Sequence, residues 1–407
     1  MAWIVNRIDN PCRVRSSGPV IRRDLAHVLR AAARQYPIVT LTGPRQSGKT
    51  TLCRAVFPKK PYASFEALDV REFATRDPRG FLAEYPRGAI FDEVQHVPDL
   101  LSYLQVEVDE RPKAGRFVLT GSQHLGLTSA VSQSLAGRTA VLHLLPPGLD
   151  ELRRFPKPPS DLWTTLTRGA YPRIHDRGIP PARWLSDYVS TYVQRDVRDV
   201  LRVTELSTFV TFLRLCAART GQEVNLAGLG ADVGITHNTA RAWLSVLEAT
   251  FICFRAPAWH VSLTKQAVRA PKLHFFDSGL ACHLLGIGSA QQLRHHPLRG
   301  PLFESWVAAE LYKARVHQGF EPRLFHYRDA KRLEVDVLLE TAEGALLVEA
   351  KSGATVASDF FDRLRRLAEL MSARKLTAQC FVVYGGDQAQ SRTDVRVVPW
   401  DRIASVR

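Results

Sequence analysis

Cysteine is sparse and scattered in this 407-residue chain. Its six cysteines are Cys12, Cys53, Cys216, Cys253, Cys282 and Cys380, and no two lie closer than 29 positions. That spacing provides no CxxC and no zinc-ribbon pattern, so buried reduced thiols of a cytoplasmic protein are expected. Long apolar runs are also missing, which excludes a membrane-spanning helix on pattern. The opening MAWIVNRIDNPCRVR meets charge too early to be the core of a secretory signal. Glycine (25) and proline (24) follow no repeat, and 45% hydrophobic with 23% charged residues excludes a disordered chain. The length predicts two to three domains. Residues 201–260 lack lysine entirely and balance five arginines against four acids, although the whole chain carries +15. Seven arginines and two acids fall in the first forty residues, so about a third of the surplus sits there. A basic surplus makes polyanions the first partners to consider.

What is present begins with a basic arm over 1–24, broken by Pro11, Gly18 and Pro19. Leu25, Val28, Leu29 and Ala32 then recur at helical spacing. A strand over 37–42 runs into Gly43-Pro44-Arg45-Gln46-Ser47-Gly48-Lys49-Thr50, followed by Thr51. This is the GxxxxGK[ST] phosphate loop in its expected strand-to-helix setting. Glycines let successive N–H groups turn inward on a phosphate, and the next helix adds its positive N-terminal end. Lys49 reaches the β- and γ-phosphates, and the Thr50 hydroxyl is a Mg²⁺ ligand. Ala89-Ile90-Phe91-Asp92-Glu93 is an apolar strand ending in two acids. Asp92 is expected in the Mg²⁺ shell and Glu93 as the catalytic residue that orients water. A third strand ends in Thr120-Gly-Ser122-Gln123, which makes Ser122 or Gln123 the candidate γ-phosphate sensor. Arg138 precedes the next strand and is a candidate arginine finger, with a strand-end salt bridge as its alternative. Strands alternating with helices imply an α/β fold with a mostly parallel sheet.

Together with segments further on, these residues resemble a known family. GPRQSGKTTL, AIFDEVQ, LTGSQ, SLAGR, GAYPR, TYVQRDV, PKLHFFDSGL, LFESWVAAEL and LEVDVLLE…LLVEAKSG appear in order over residues 25–390. The set resembles bacterial and archaeal AAA-type ATPases with a C-terminal domain of unknown function. The resemblance implies an AAA-like ATP-binding core, a winged-helix middle and a restriction-endonuclease-like end.

Residues 225–247 independently read as helix, turn at Gly234-Ile235, then a helix capped by Thr236. Ala240, Trp243, Leu244 and Leu247 form its buried stripe. His237, Asn238 and Arg241 fall on the opposite side. Near-neutral charge weighs against this segment as a stand-alone DNA binder, because phosphate contacts dominate non-specific affinity. Packing and DNA contact therefore both stand as readings.

Further on, Asp336 lies on one strand, and Glu349 and Lys351 lie two residues apart on the next, on one strand face. Two carboxylates and an ammonium suit metal-dependent phosphodiester cleavage. The pattern resembles a PD-(D/E)xK core, with Val335 where that motif has proline. Glu304, on a helix over 301–315, fits the extra acid this fold often supplies. An ion pair across a strand face, without cleavage, is the alternative.

The expected organisation is an arm over 1–24, an AAA-like domain over 25–155, a helical and winged-helix domain over 156–260 and a nuclease-like domain over 261–407. The expected function is a cytoplasmic, Mg²⁺-dependent ATPase whose nucleotide state controls the C-terminal domain. ATP and Mg²⁺ are the expected ligands, with a second divalent-metal site in the C-terminal domain. DNA or RNA, a second copy of the chain or a protein partner are the candidate partners, and no membrane is. The alternatives are an ATP-switched nucleic-acid-binding protein or nuclease, and a non-hydrolysing switch for protein interaction.

Overall fold

A computed structural model describes residues 20–121, 134–192, 206–260, 270–357 and 360–406. The chain forms two compact units: one runs to Leu145 and includes Val316–Gly319, and the other holds the remainder. Much of the basic arm and the candidate sensors Ser122 and Gln123 lie outside the described residues.

The first unit is built on five parallel strands in the order β2-β3-β4-β1-β5. These are β1 (Ile38–Thr42), β2 (Tyr62–Ser64), β3 (Ile90–Asp92), β4 (Phe117–Thr120) and β5 (Thr139–His143). Side chains alternate across such a sheet, and the core divides accordingly. Ile38, Phe91, Phe117 and Leu119 pack on one face with the helix Leu100–Glu110. Val39, Leu41, Ile90 and Val118 pack on the other with the helix Leu25–Gln35. Helices on both faces explain why the central strands β1, β3 and β4 are buried along their whole length. The sheet is the parallel one expected from the sequence.

The second unit opens with helices, including Leu162–Arg168 and Pro181–Tyr192. The helices Leu226–Val233 and His237–Ala249 meet at Gly234, as their caps require. The Asn225 side chain accepts from the Gly228 N–H, and Thr236 accepts from the Thr239 N–H. Ala240, Trp243, Leu244 and Leu247 are buried as their spacing predicts. A three-stranded sheet follows, with β6 (Gln222–Glu223) and β7 (Cys253–Ala256) each pairing antiparallel with β8 (Lys272–Phe275). The last part holds a six-stranded mixed sheet, β13-β14-β12-β11-β10-β9. Its strands are β9 (Leu324–Arg328), β10 (Glu334–Thr341), β11 (Gly344–Lys351), β12 (Ala378–Tyr384), β13 (Gln390–Ser391) and β14 (Val395–Pro399). The helix Asp362–Ser372 connects the parallel pair β11 and β12, and buries Leu364, Leu367 and Met371 against Leu338, Leu347 and Val382.

Two of the quoted segments are joined by one buried carboxylate. Asp277 is buried and accepts from the backbone N–H groups of Ala170 (2.6 Å) and Leu280 (2.7 Å). One carboxylate thereby ties GAYPR to PKLHFFDSGL and caps the helix Ser278–Leu284.

His175 gives this unit an acid sensitivity. It is buried, lies tilted against the Phe155 ring and donates from Nε2 to the Gly169 carbonyl at 2.9 Å. Burial pushes its pKa down from 6.5 to about 4. The neutral ring therefore contributes stability above pH 6.5, and this is lost as the pH falls from 6.5 towards 4. The loss is at most about 3 kcal/mol. Unfolding midpoints measured between pH 7 and pH 4 should fall less steeply in His175→Gln than in the wild type.

Candidate functional site

The phosphate loop joins the end of β1 to the helix Lys49–Val56. Gly43 has φ of 149°, and a Cβ there would stand 2.2 Å from the Leu144 carbonyl oxygen. Gly48 caps the helix in the left-handed region, with φ of 95°. Both positions therefore need glycine. Between them, Ser47 is fully buried and its Oγ has no hydrogen-bond partner. Arg45 is half-buried, while Gln46 and Thr51 are exposed. Lys49 is buried and donates from Nζ to the carbonyls of Gly43 (3.0 Å) and Pro44 (2.9 Å).

The Thr50 hydroxyl reaches both carboxylate oxygens of Asp92, at 2.9 and 3.0 Å. Tyr62 donates to the same carboxylate at 2.8 Å, and Thr120 also donates to it. Asp92, only 6% exposed, is thus held by hydroxyls from the loop helix, β2 and β4. Burial and the neighbouring Asp92 push the Tyr62 hydroxyl well above the ordinary tyrosine range, so it remains a donor. The donors are hard oxygens, which suits Mg²⁺. A turn with glycines at both bends, an unpartnered buried hydroxyl and a lysine suits a phosphate. The residues present fit Mg²⁺ and a nucleotide.

Glu93 follows Asp92 in the left-handed region (φ 57°, ψ 49°), and its carboxylate accepts from the Gln95 side chain. Arg138 forms a two-pronged pair with Asp109, at 2.6 and 2.8 Å. This is a partly exposed salt bridge at the strand end. Sequence reasoning missed Tyr62, Thr120, Gln95 and Arg23. Buried Arg23 donates to the carbonyls of Ser47 (2.9 Å) and Leu145 (2.7 Å), fastening the loop from behind.

In the second unit, Asp336 Oδ2 accepts from the Ala350 N–H at 2.9 Å, which brings it beside Glu349 and Lys351. Lys351 Nζ lies 2.6 Å from Glu349 Oε1, the strand-face pair that was one of the two readings. Glu349 is 1% exposed. Burial and the nearby Asp336 raise its pKa to about 7. Glu304 joins the group through a residue that sequence reasoning did not select. Lys272 Nζ stands 2.8 Å from Glu304, 2.8 Å from Glu334 and 3.8 Å from Asp336. Its signal was a lone charge heading the apolar strand Leu273-His-Phe275. Among the described residues, no three His, Cys, Asp or Glu side chains form a group that could hold a metal. No described helix is long and apolar enough to cross a membrane. Cys53, Cys216, Cys253, Cys282 and Cys380 are free and buried.

Arg23→Ala removes two charge-assisted hydrogen bonds and leaves their carbonyls behind. It should destabilise the first unit by about 2 to 4 kcal/mol. Denaturant unfolding of the variant against the wild type checks this.

Residues 35–153 match an AAA domain, 159–291 a domain of unknown function (DUF8612), and 299–403 a second domain of unknown function (DUF4143). Among solved structures, the Walker-type ATPase of Pyrococcus abyssi aligns with a TM-score of 0.40 at 14% identity, over 64% of this chain and 94% of that one. RuvB of Thermotoga maritima aligns with a TM-score of 0.27 at 18% identity, over 57% of this chain and 87% of that one. Uncharacterized proteins of Mycobacterium tuberculosis and Mycobacterium bovis are each 31% identical over 386 residues, covering 94% of this chain and 84% of theirs. With that extent of likeness, the chain belongs to the same family as these mycobacterial proteins, and it carries an AAA domain at residues 35–153.

Proposed function

We propose that this chain is a Mg²⁺-dependent ATPase. The observation that carries the reading is the meeting of Thr50 and Asp92 at 2.9 Å beside the Gly43–Lys49 turn. The loop N–H groups bind phosphate oxygens, and Lys49 exchanges its two carbonyl partners for the β- and γ-phosphates. Thr50 and Asp92 would hold Mg²⁺, which neutralises charge on the transferring phosphoryl group. Tyr62 and Thr120 orient the Asp92 carboxylate. Glu93 leaves Gln95 and positions the attacking water. Ser122 and Gln123 follow β4, where a γ-phosphate sensor belongs. Arg138 is engaged by Asp109 and is left out of this chemistry.

The helix pair over 226–249 followed by β7 and β8 supports a winged-helix reading of the middle segment. A second reading concerns the six-stranded sheet, where Asp336, Glu349 and Lys351 converge with Glu304 nearby. That convergence supports a PD-(D/E)xK-like core and metal-dependent phosphodiester cleavage, controlled by the nucleotide state.

Lys49→Ala should abolish nucleotide binding. Glu93→Gln should retain binding and lower hydrolysis by about a hundredfold or more. Nucleotide titration and phosphate release measure the two effects separately. Hydrolysis by Glu93→Gln at the wild-type rate would remove Glu93 from its role, and a wild type that binds but never hydrolyses would favour a switch. For the second reading, DNA and RNA incubated with ATP and Mg²⁺ or Mn²⁺ should be cut by the wild type and left intact by Asp336→Ala.

A further inference from the structure

A lysine in a strand whose four residues are all buried needs a reason. The Lys272 side chain is 4% exposed and its ammonium is ringed by carboxylates from separate places in the chain. Glu304 comes from the helix Arg299–His317, and Glu334 and Asp336 from β10. Burial opposes the ammonium, but Glu304, Asp336 and Glu334 outweigh it, so Lys272 stays charged. One carboxylate oxygen beside the cluster is left over. Glu349 Oε2 is buried without a hydrogen-bond partner, although its other oxygen meets Lys351 at 2.6 Å and Arg363 at 3.8 Å.

We infer that Lys272 is the resident cation of this carboxylate cluster and holds closed a latent divalent-cation site formed by Glu304 and Asp336, with Glu349 beside them. The donors are carboxylate oxygens, the ligand type of a hard divalent ion. A lysine ammonium is a compact charge with three donors, which lets it stand where such an ion would bridge two carboxylates. Its carrier is β8 of the three-stranded sheet, whereas the carboxylates belong to the long helix and the six-stranded sheet. Displacing β8 withdraws the ammonium and leaves the oxygens free for a metal. The inference shares its ligands with the cleavage reading but requires no cleavage, and it is independent of ATP hydrolysis.

Mn²⁺ is the probe, added to the full chain without nucleotide and in an Asp92→Asn background so that the phosphate loop does not contribute. Lys272→Met should gain one Mn²⁺ per chain, bound at least about tenfold more tightly than by the parent. Adding Asp336→Asn should remove that ion. Because Lys272→Met leaves buried carboxylates unpaired, Lys272→Met/Glu334→Gln repeats the test with one negative charge fewer. Mn²⁺ should raise the melting temperature of the double variant, or restore its folding transition, and leave the parent unchanged. No extra Mn²⁺ in either variant and no stabilisation by it would overturn the inference. So would a parent that already binds an ion lost in Asp336→Asn while Lys272 is intact. A gained ion without cleavage of DNA or RNA upholds the lysine's role and removes the nuclease reading alone.

Discussion

A charge taken out of water must be met by partners, and this constraint shapes both candidate sites. Asp92 is surrounded by hydroxyls that converge from a helix and two strands. Lys49 is satisfied by carbonyls of its own loop, and Arg23 by carbonyls at Ser47 and Leu145. In the second unit Lys272 is met by carboxylates, and Asp277 by backbone N–H groups. Apart from Lys49, these buried charges fix the relative placement of segments far apart in sequence. Removing one partner would strand the other in a poorly solvated place, so the arrangement is far less tolerant than surface pairing.

The legible parts of the molecule were those encoded locally. The phosphate loop is a run of eight residues, and its glycines, lysine and threonine announce themselves by spacing. The cap at Thr236 and the buried stripe of the helix it precedes are equally local. Apolar runs located β1, β3, β4 and β5. They did not locate β2, which has three residues and only one of them buried. Missing β2 meant missing Tyr62, because its contact with Asp92 depends on β2 lying beside β3. Lys272 escaped for the same reason. Its carboxylate partners come from a helix and a strand that only the fold brings together. Asp336 and Glu349 were placed correctly on neighbouring strands because strand alternation is a local rule.

The two sites differ in who supplies the counter-charge. Around the phosphate loop the protein contributes a lysine, inward-turning glycine backbone and a single carboxylate with its hydroxyls. An anion carrying one divalent cation completes that set without displacing a buried charge; Lys49 merely changes acceptors. The C-terminal cluster starts from the opposite condition. Its carboxylates already share Lys272, Lys351 and Arg363, so an incoming cation competes with groups on the chain itself. Metal chemistry there would demand a structural change before binding, whereas chemistry at the phosphate loop needs only side-chain exchange.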